Sequence, residues 1–91
     1  MYFNVTFNIA HNDDNSYEKV YEVFEKKFSL LKYEMQDDRK ILTPTTTVIG
    51  ESAEYANSAA LSEAIRDEFM KHDIIFDRLL VCKTDDHVLI G

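Results

Sequence analysis

A chain of 91 residues, 45% apolar and 30% charged, has the composition of one soluble globular domain rather than of a disordered segment. Seventeen acidic residues against ten basic ones give a net charge of −7, which repels phosphate and disfavours nucleic-acid binding over a wide surface. The longest uninterrupted apolar run, Leu79–Cys82, is far short of the roughly 20 residues needed to cross a membrane, and the opening residues lack the basic start of a signal peptide.

Tyr2-Phe3-Asn4-Val5-Thr6-Phe7-Asn8-Ile9 alternates with period two. Phe3, Val5, Phe7 and Ile9 share one face and Asn4, Thr6 and Asn8 the other, the pattern of a half-buried strand. The segment from His11 to Ser16 is loop chemistry, and Asn15 or Ser16 is expected to cap a helix, with Asp13 and Asp14 just ahead of its positive end. Tyr17 to about Phe28 reads as that helix. Val20, Phe24 and Phe28 form its inner stripe, Tyr17 and Tyr21 flank it, and Leu31 comes close to continuing it. Glu22 and Lys26 stand in the favourable i,i+4 order.

Leu31, Tyr33 and Met35 alternate with Lys32, Glu34 and Gln36, which predicts a second strand. Asp37-Asp38-Arg39-Lys40 is a charged turn. The β-branched stretch Ile41–Ile49 is the return strand, in which Pro44 calls for a bulge or an unpaired donor, and Gly50 ends it. After a polar loop, Ser58 is expected to cap a second helix reaching about Lys71. Its inner positions are Leu61, Ala64, Ile65, Glu68 and Phe69, and Lys71-His72 complements its C-terminal dipole. Leu79–Cys82 reads as a strand buried on both faces, and His87–Ile90 as a short fifth strand after a turn at Thr84–Asp86. Cys82, the only cysteine, is expected to pack in the core. With no disulfide possible within the chain, a cytoplasmic setting fits best.

The order strand, helix, strand, strand, helix, strand is the split βαβ, or ferredoxin-like, α+β pattern, with two helices on one face of an antiparallel sheet and a short extra C-terminal strand. The strand after the second helix then lies at a sheet edge, yet it is among the most apolar segments of the chain. An exposed apolar edge invites uncontrolled pairing, and a second copy of the chain is the simplest cover.

With "YFNVTFNI", "YEKVYEVFEKKF", "TPTTTVIG", "SEAIRDEFMKHD" and "FDRLLVCKT" in this order, nearly the whole chain resembles small ferredoxin-like proteins of the CRISPR-associated Cas-two kind. The related virulence-associated protein D toxins and a SinR-family-labelled branch share that likeness. The resemblance implies a homodimer paired through its sheets. It also implies that catalytic members are metal-dependent nucleases, with an Asp near the end of the first strand of each copy. The matching position here is Asn8, whose neutral amide is a poor lone ligand for Mg²⁺ and gives no carboxylate to help activate water.

Three readings follow. The first is a non-catalytic homodimeric interaction or scaffold module, for which no cofactor is expected and a protein partner is open. The second is a nuclease or toxin-like ribonuclease using Mg²⁺ or Mn²⁺, with His11, Asp13 and Asp14 as catalytic candidates and Asn8, Asp13 and Asp14 as metal candidates. The third is an acidic inhibitor or DNA mimic of a mobile element, although the carboxylates are spread over turns and both helices. The plainer reading of His11, Asp13 and Asp14 is a solvated turn that caps a helix. Thr45–Thr47 fit ordinary strand propensity, Asp77-Arg78 a local ion pair or turn contact with a partner-facing Arg78 as the alternative, Tyr17, Tyr21 and Tyr33 the core, and His72 and His87 isolated surface or cap positions. Only Gly50 and Gly91 are glycines, so no Gly-rich phosphate loop exists.

Overall fold

The computed structural model describes residues 2–10 and 14–90, with side chains of the first helix described from Tyr17 onward. β1 (Tyr2–Ile9) is the central strand of a three-stranded antiparallel sheet. Its apolar face is buried as the alternation predicts: Phe3, Val5, Phe7 and Ile9 all lie in the core. α1 (Asp14–Phe28) begins three residues before the expected start, so Asn15 and Ser16 stand inside the helix and are not its cap. Acidic and small polar residues suit a first helical turn as well as a cap position, and spacing alone does not separate the two.

Val20, Val23, Phe24 and Phe28 form the buried stripe of α1. The helix stops at Ser29, which is left-handed (φ 55°), and the Leu30 N–H turns back to the Phe24 carbonyl at 3.0 Å. This turn drives Leu30, not Leu31, into the core.

Leu31 makes a single antiparallel bridge with Ile49 before the chain enters β2 (Tyr33–Gln36). β2 pairs with β3 (Arg39–Leu42) through a two-residue turn with positive φ at Asp37 (48°) and Asp38 (66°), the geometry that matches strand twist in tight hairpins. The return strand is therefore two strands. Thr43–Thr46 interrupts it, and β4 (Thr47–Glu51) resumes against β1, running through Gly50 instead of ending there. Pro44 supplies no N–H to a ladder, Thr46 is left-handed (φ 55°), and the Thr43 hydroxyl donates to the Thr47 carbonyl at 2.6 Å across the break.

α2 (Ser58–Lys71) has the expected span but a different cap: Asn57 Oδ1 accepts from the Ala60 N–H at 2.8 Å. Leu61, Ile65 and Phe69 are buried in the core, with Phe69 packed on Phe24 of α1 and on Phe76. At the far end Lys19 of α1 donates to the His72 carbonyl at 2.9 Å, so a neighbouring helix adds to the dipole match.

β5 (Phe76–Thr84) pairs with β1 on the side opposite β4. The order β5–β1–β4, continued to the β2 limb by the Leu31–Ile49 bridge, is that of a ferredoxin-like fold with both helices on one face. The extra strand of this α+β fold is β3. Its cause is the break at Pro44.

Two expectations for the chain's end are corrected. β5 is not buried on both faces: Leu80 is 60% exposed and Cys82 lies half-buried, outside the core, because one face of an edge strand has no layer over it. His87–Ile90 forms no strand. It lies along β2 through side chains, with Gln36 Nε2 donating to the Leu89 carbonyl at 2.8 Å, and makes no backbone ladder.

Candidate functional site: the open face of the sheet

Directly opposed residues in an antiparallel pair project to the same side. The face away from the helices therefore carries Tyr2, Asn4, Thr6 and Asn8 from β1, Thr47, Ile49 and Glu51 from β4, and Arg78, Leu80, Cys82 and Thr84 from β5. The Thr6 and Thr47 hydroxyls approach to 3.4 Å at its middle.

Asn8 is exposed at one end of this face, and its cross-strand neighbour is Arg78. The register is regular from Tyr2 to Asn8, and an irregularity just beyond, between Asn8 and Ile9, leaves Asp77 as the extra residue of β5. No ion pair joins Asp77 to Arg78, so the expected local pairing is not made. A neutral amide beside a guanidinium does not suit a divalent cation, which takes carboxylate and carbonyl oxygens. His11 and Asp13, two of the residues considered for such a site, lie outside the described residues. Asp14 is the first residue of α1, with its side chain outside them as well. Among the described residues no three His, Cys, Asp or Glu side chains are grouped to hold a metal ion.

At the opposite end, the chain crosses from β5 past Tyr2 toward β2. His87 sets its ring edge-on to Tyr2 at 4.6 Å between centroids, and its Nε2 meets Glu34 Oε1 at 3.1 Å. Gln36 holds the other oxygen of the same carboxylate at 3.2 Å. These contacts frame a cavity of about 340 Å³ lined by Tyr2, Leu31, Tyr33, Glu34, Ile49, Glu51 and His87, among others. Ser29 also reaches it but makes no hydrogen bond to His87, so Ser, His and Glu do not form a nucleophile–base relay here. Sequence reasoning treated His87 as isolated, because its partner is 53 positions away on a separate hairpin.

Another cavity, about 210 Å³, lies between the helices and is lined by Glu22, Val23, Lys26, Lys27, Glu68 and His72. Within it Glu22 pairs with Lys26 at 2.9 Å, as its i,i+4 spacing predicts, and Glu68 lies 3.3 Å from His72 Nε2. The hydrogen bond from Lys26 and its positive charge hold the Glu22 carboxyl below the ordinary carboxylate range. Tyr17 and Tyr21 pack on the core as expected, whereas Tyr33 stands on the hairpin with Lys40 over its ring at 4.3 Å.

The open face of the three-stranded sheet carries amides, hydroxyls, apolar side chains, a thiol, one guanidinium and one carboxylate, Glu51. Comparisons with protein-family models, with curated proteins and with solved structures found no match. Among the described residues no helix is long and apolar enough to cross a membrane.

Proposed function

We propose that this chain is a non-catalytic homodimeric interaction module of the Cas-two-like kind, acting through the open face of its sheet. The observation that carries the reading is the pair at the end of β1. Where the resemblance implies a metal-binding carboxylate there is Asn8, and across from it stands Arg78. That end of the sheet is built for polar and ionic contact with another surface, not for holding Mg²⁺ or Mn²⁺.

The exposed apolar side chains support the same reading. Leu80 stands 60% exposed on the open face, and Val88 and Ile90 are 80% and 87% exposed on the C-terminal segment. A second copy covering them removes apolar surface from water, the main drive to association. The net charge of −7 directs the module toward protein surfaces and away from nucleic-acid backbones. The lone Cys82 accords with a reducing, cytoplasmic setting.

Light-scattering mass at micromolar concentration tests the dimer, and incubation with RNA and DNA in Mg²⁺ or Mn²⁺ tests the chemistry. A dimer that leaves both substrates intact is the expected result. A monomer overturns the association. Cleavage that is abolished by Asp13→Ala or Asp14→Ala overturns the non-catalytic reading in favour of a nuclease.

A further inference from the structure

The open face is self-complementary in charge along its length. Arg78, opposite Asn8, marks one end of β1, and Glu51, opposite Tyr2, marks the other. At ~3.3 Å per residue the two ends lie about 20 Å apart along the strand. Arg78 is the only Lys or Arg that the register of the three-stranded sheet places on this face. The other basic residue of β5, Lys83, is opposite Phe3 on the helix side and donates to the Ala56 carbonyl. Between the ends lie Leu80, Cys82, Ile49 and the Thr6–Thr47 pair.

Two identical sheets packed face to face are related by a two-fold axis in the plane between them. If that axis runs along the strands, each charged end meets its own copy, Arg78 against Arg78 and Glu51 against Glu51. If it runs across the strands, Arg78 meets Glu51 twice. Like charges brought together at an interface oppose association, and opposite charges select register.

Resting on the dimer reading above, we propose that the axis runs across the strands, and that each Arg78 guanidinium enters the partner copy's 340 Å³ cavity beside Glu51. The cavity walls match this occupant. Glu34 is already held by His87 and Gln36, which leaves Glu51 as the acceptor, and the Tyr2 and Tyr33 rings give flat faces. A planar guanidinium can bond a carboxylate through two N–H groups and stack on an aromatic ring, which a lysine cannot do. Arg78 is on β5 and Glu51 on β4, two strands over, so the sheets cross obliquely. Each cavity is then completed by the second copy.

Sedimentation equilibrium on the whole chain, Arg78→Glu, Glu51→Arg and the doubly substituted chain separates the outcomes, with circular dichroism verifying that each variant is folded. Each single change should raise the dimer dissociation constant by about tenfold or more, and the double change should recover most of that loss. A dimeric wild type whose single variants dimerise normally, or whose double variant is no better than the singles, overturns the Arg78–Glu51 pairing and leaves the dimer standing. A monomeric wild type removes the dimer itself.

Discussion

Gly50 sits in β4 where the corner after α1 comes closest to the sheet. A Cβ at this position would run into the Ser29 carbonyl oxygen and press on Leu30, whose side chain is wholly buried beneath. Its φ is not positive, so space and not backbone conformation requires the glycine. Gly50→Ala should therefore cost about 1–3 kcal/mol, the range for overpacking a tight site, read as a lower urea midpoint with an unchanged slope. The helix cap allows a sharper contrast. Asn57→Ala removes the acceptor of the Ala60 N–H and should cost about 1 kcal/mol, whereas Ser58→Ala should be nearly neutral because Ser58 already has helical geometry. Tyr55 gives a pH signature. Burial, with the Glu54 and Glu68 charges behind it, raises its hydroxyl above the ordinary tyrosine value. The neutral ring is the form the fold favours, so its contribution is complete below the ordinary value and is lost as pH rises through the folded one. Alkaline melts should show Tyr55→Phe losing less stability than wild type as pH rises from the ordinary tyrosine value through the raised one.

The β2–β3 hairpin is an element whose turn is imperfectly written. Both central residues have positive φ and both are aspartates, although this turn type prefers glycine second. Asp38→Gly should stabilise the protein by up to about 1 kcal/mol, measured as a rise in melting temperature, because a left-handed residue with a Cβ carries a steric cost. The same hairpin marks what sequence periodicity can convey. Alternation gave β1 its boundaries and its buried face, and the missing N–H of Pro44 announced an interruption. What periodicity does not carry is the partner of each segment. β-Branched side chains stand on both sides of Pro44, Ile41 and Thr43 before it and Thr45–Ile49 after it, yet 39–42 pair with β2 and 47–51 with β1. His87-Val88-Leu89-Ile90 likewise has a strand's apolar composition without becoming one, since composition does not supply a ladder partner. The cap at Asn57 and the inward turn of Leu30 depend on backbone angles one residue away from where composition points.

For the molecule as a whole, the candidate site was legible in part. That Asn8 stands on the polar face of β1 follows from period two alone. That Arg78 lies across from it follows only from the register with β5, which the alternation of β1 does not carry. The cavity at the other end joins residues of β1, β2, β4 and the C-terminal segment, which meet only once the fold is made. The same register puts Cys82 opposite Asn4, on the open face and near its middle, half-buried in the single chain. A dimer formed through that face should cover this thiol. Because it is the only cysteine, its reaction with a thiol reagent reports on one place. The second-order rate should fall several-fold as protein concentration rises through the dimer dissociation constant, and Arg78→Glu should keep it at the monomer value over the same range. A rate independent of concentration in a protein whose measured mass is that of a dimer would place the contact on another surface. The helix side is already filled by α1 and α2, so the search would then turn to the exposed edge of the β2–β3 hairpin, where Met35 and Leu42 stand clear of the core.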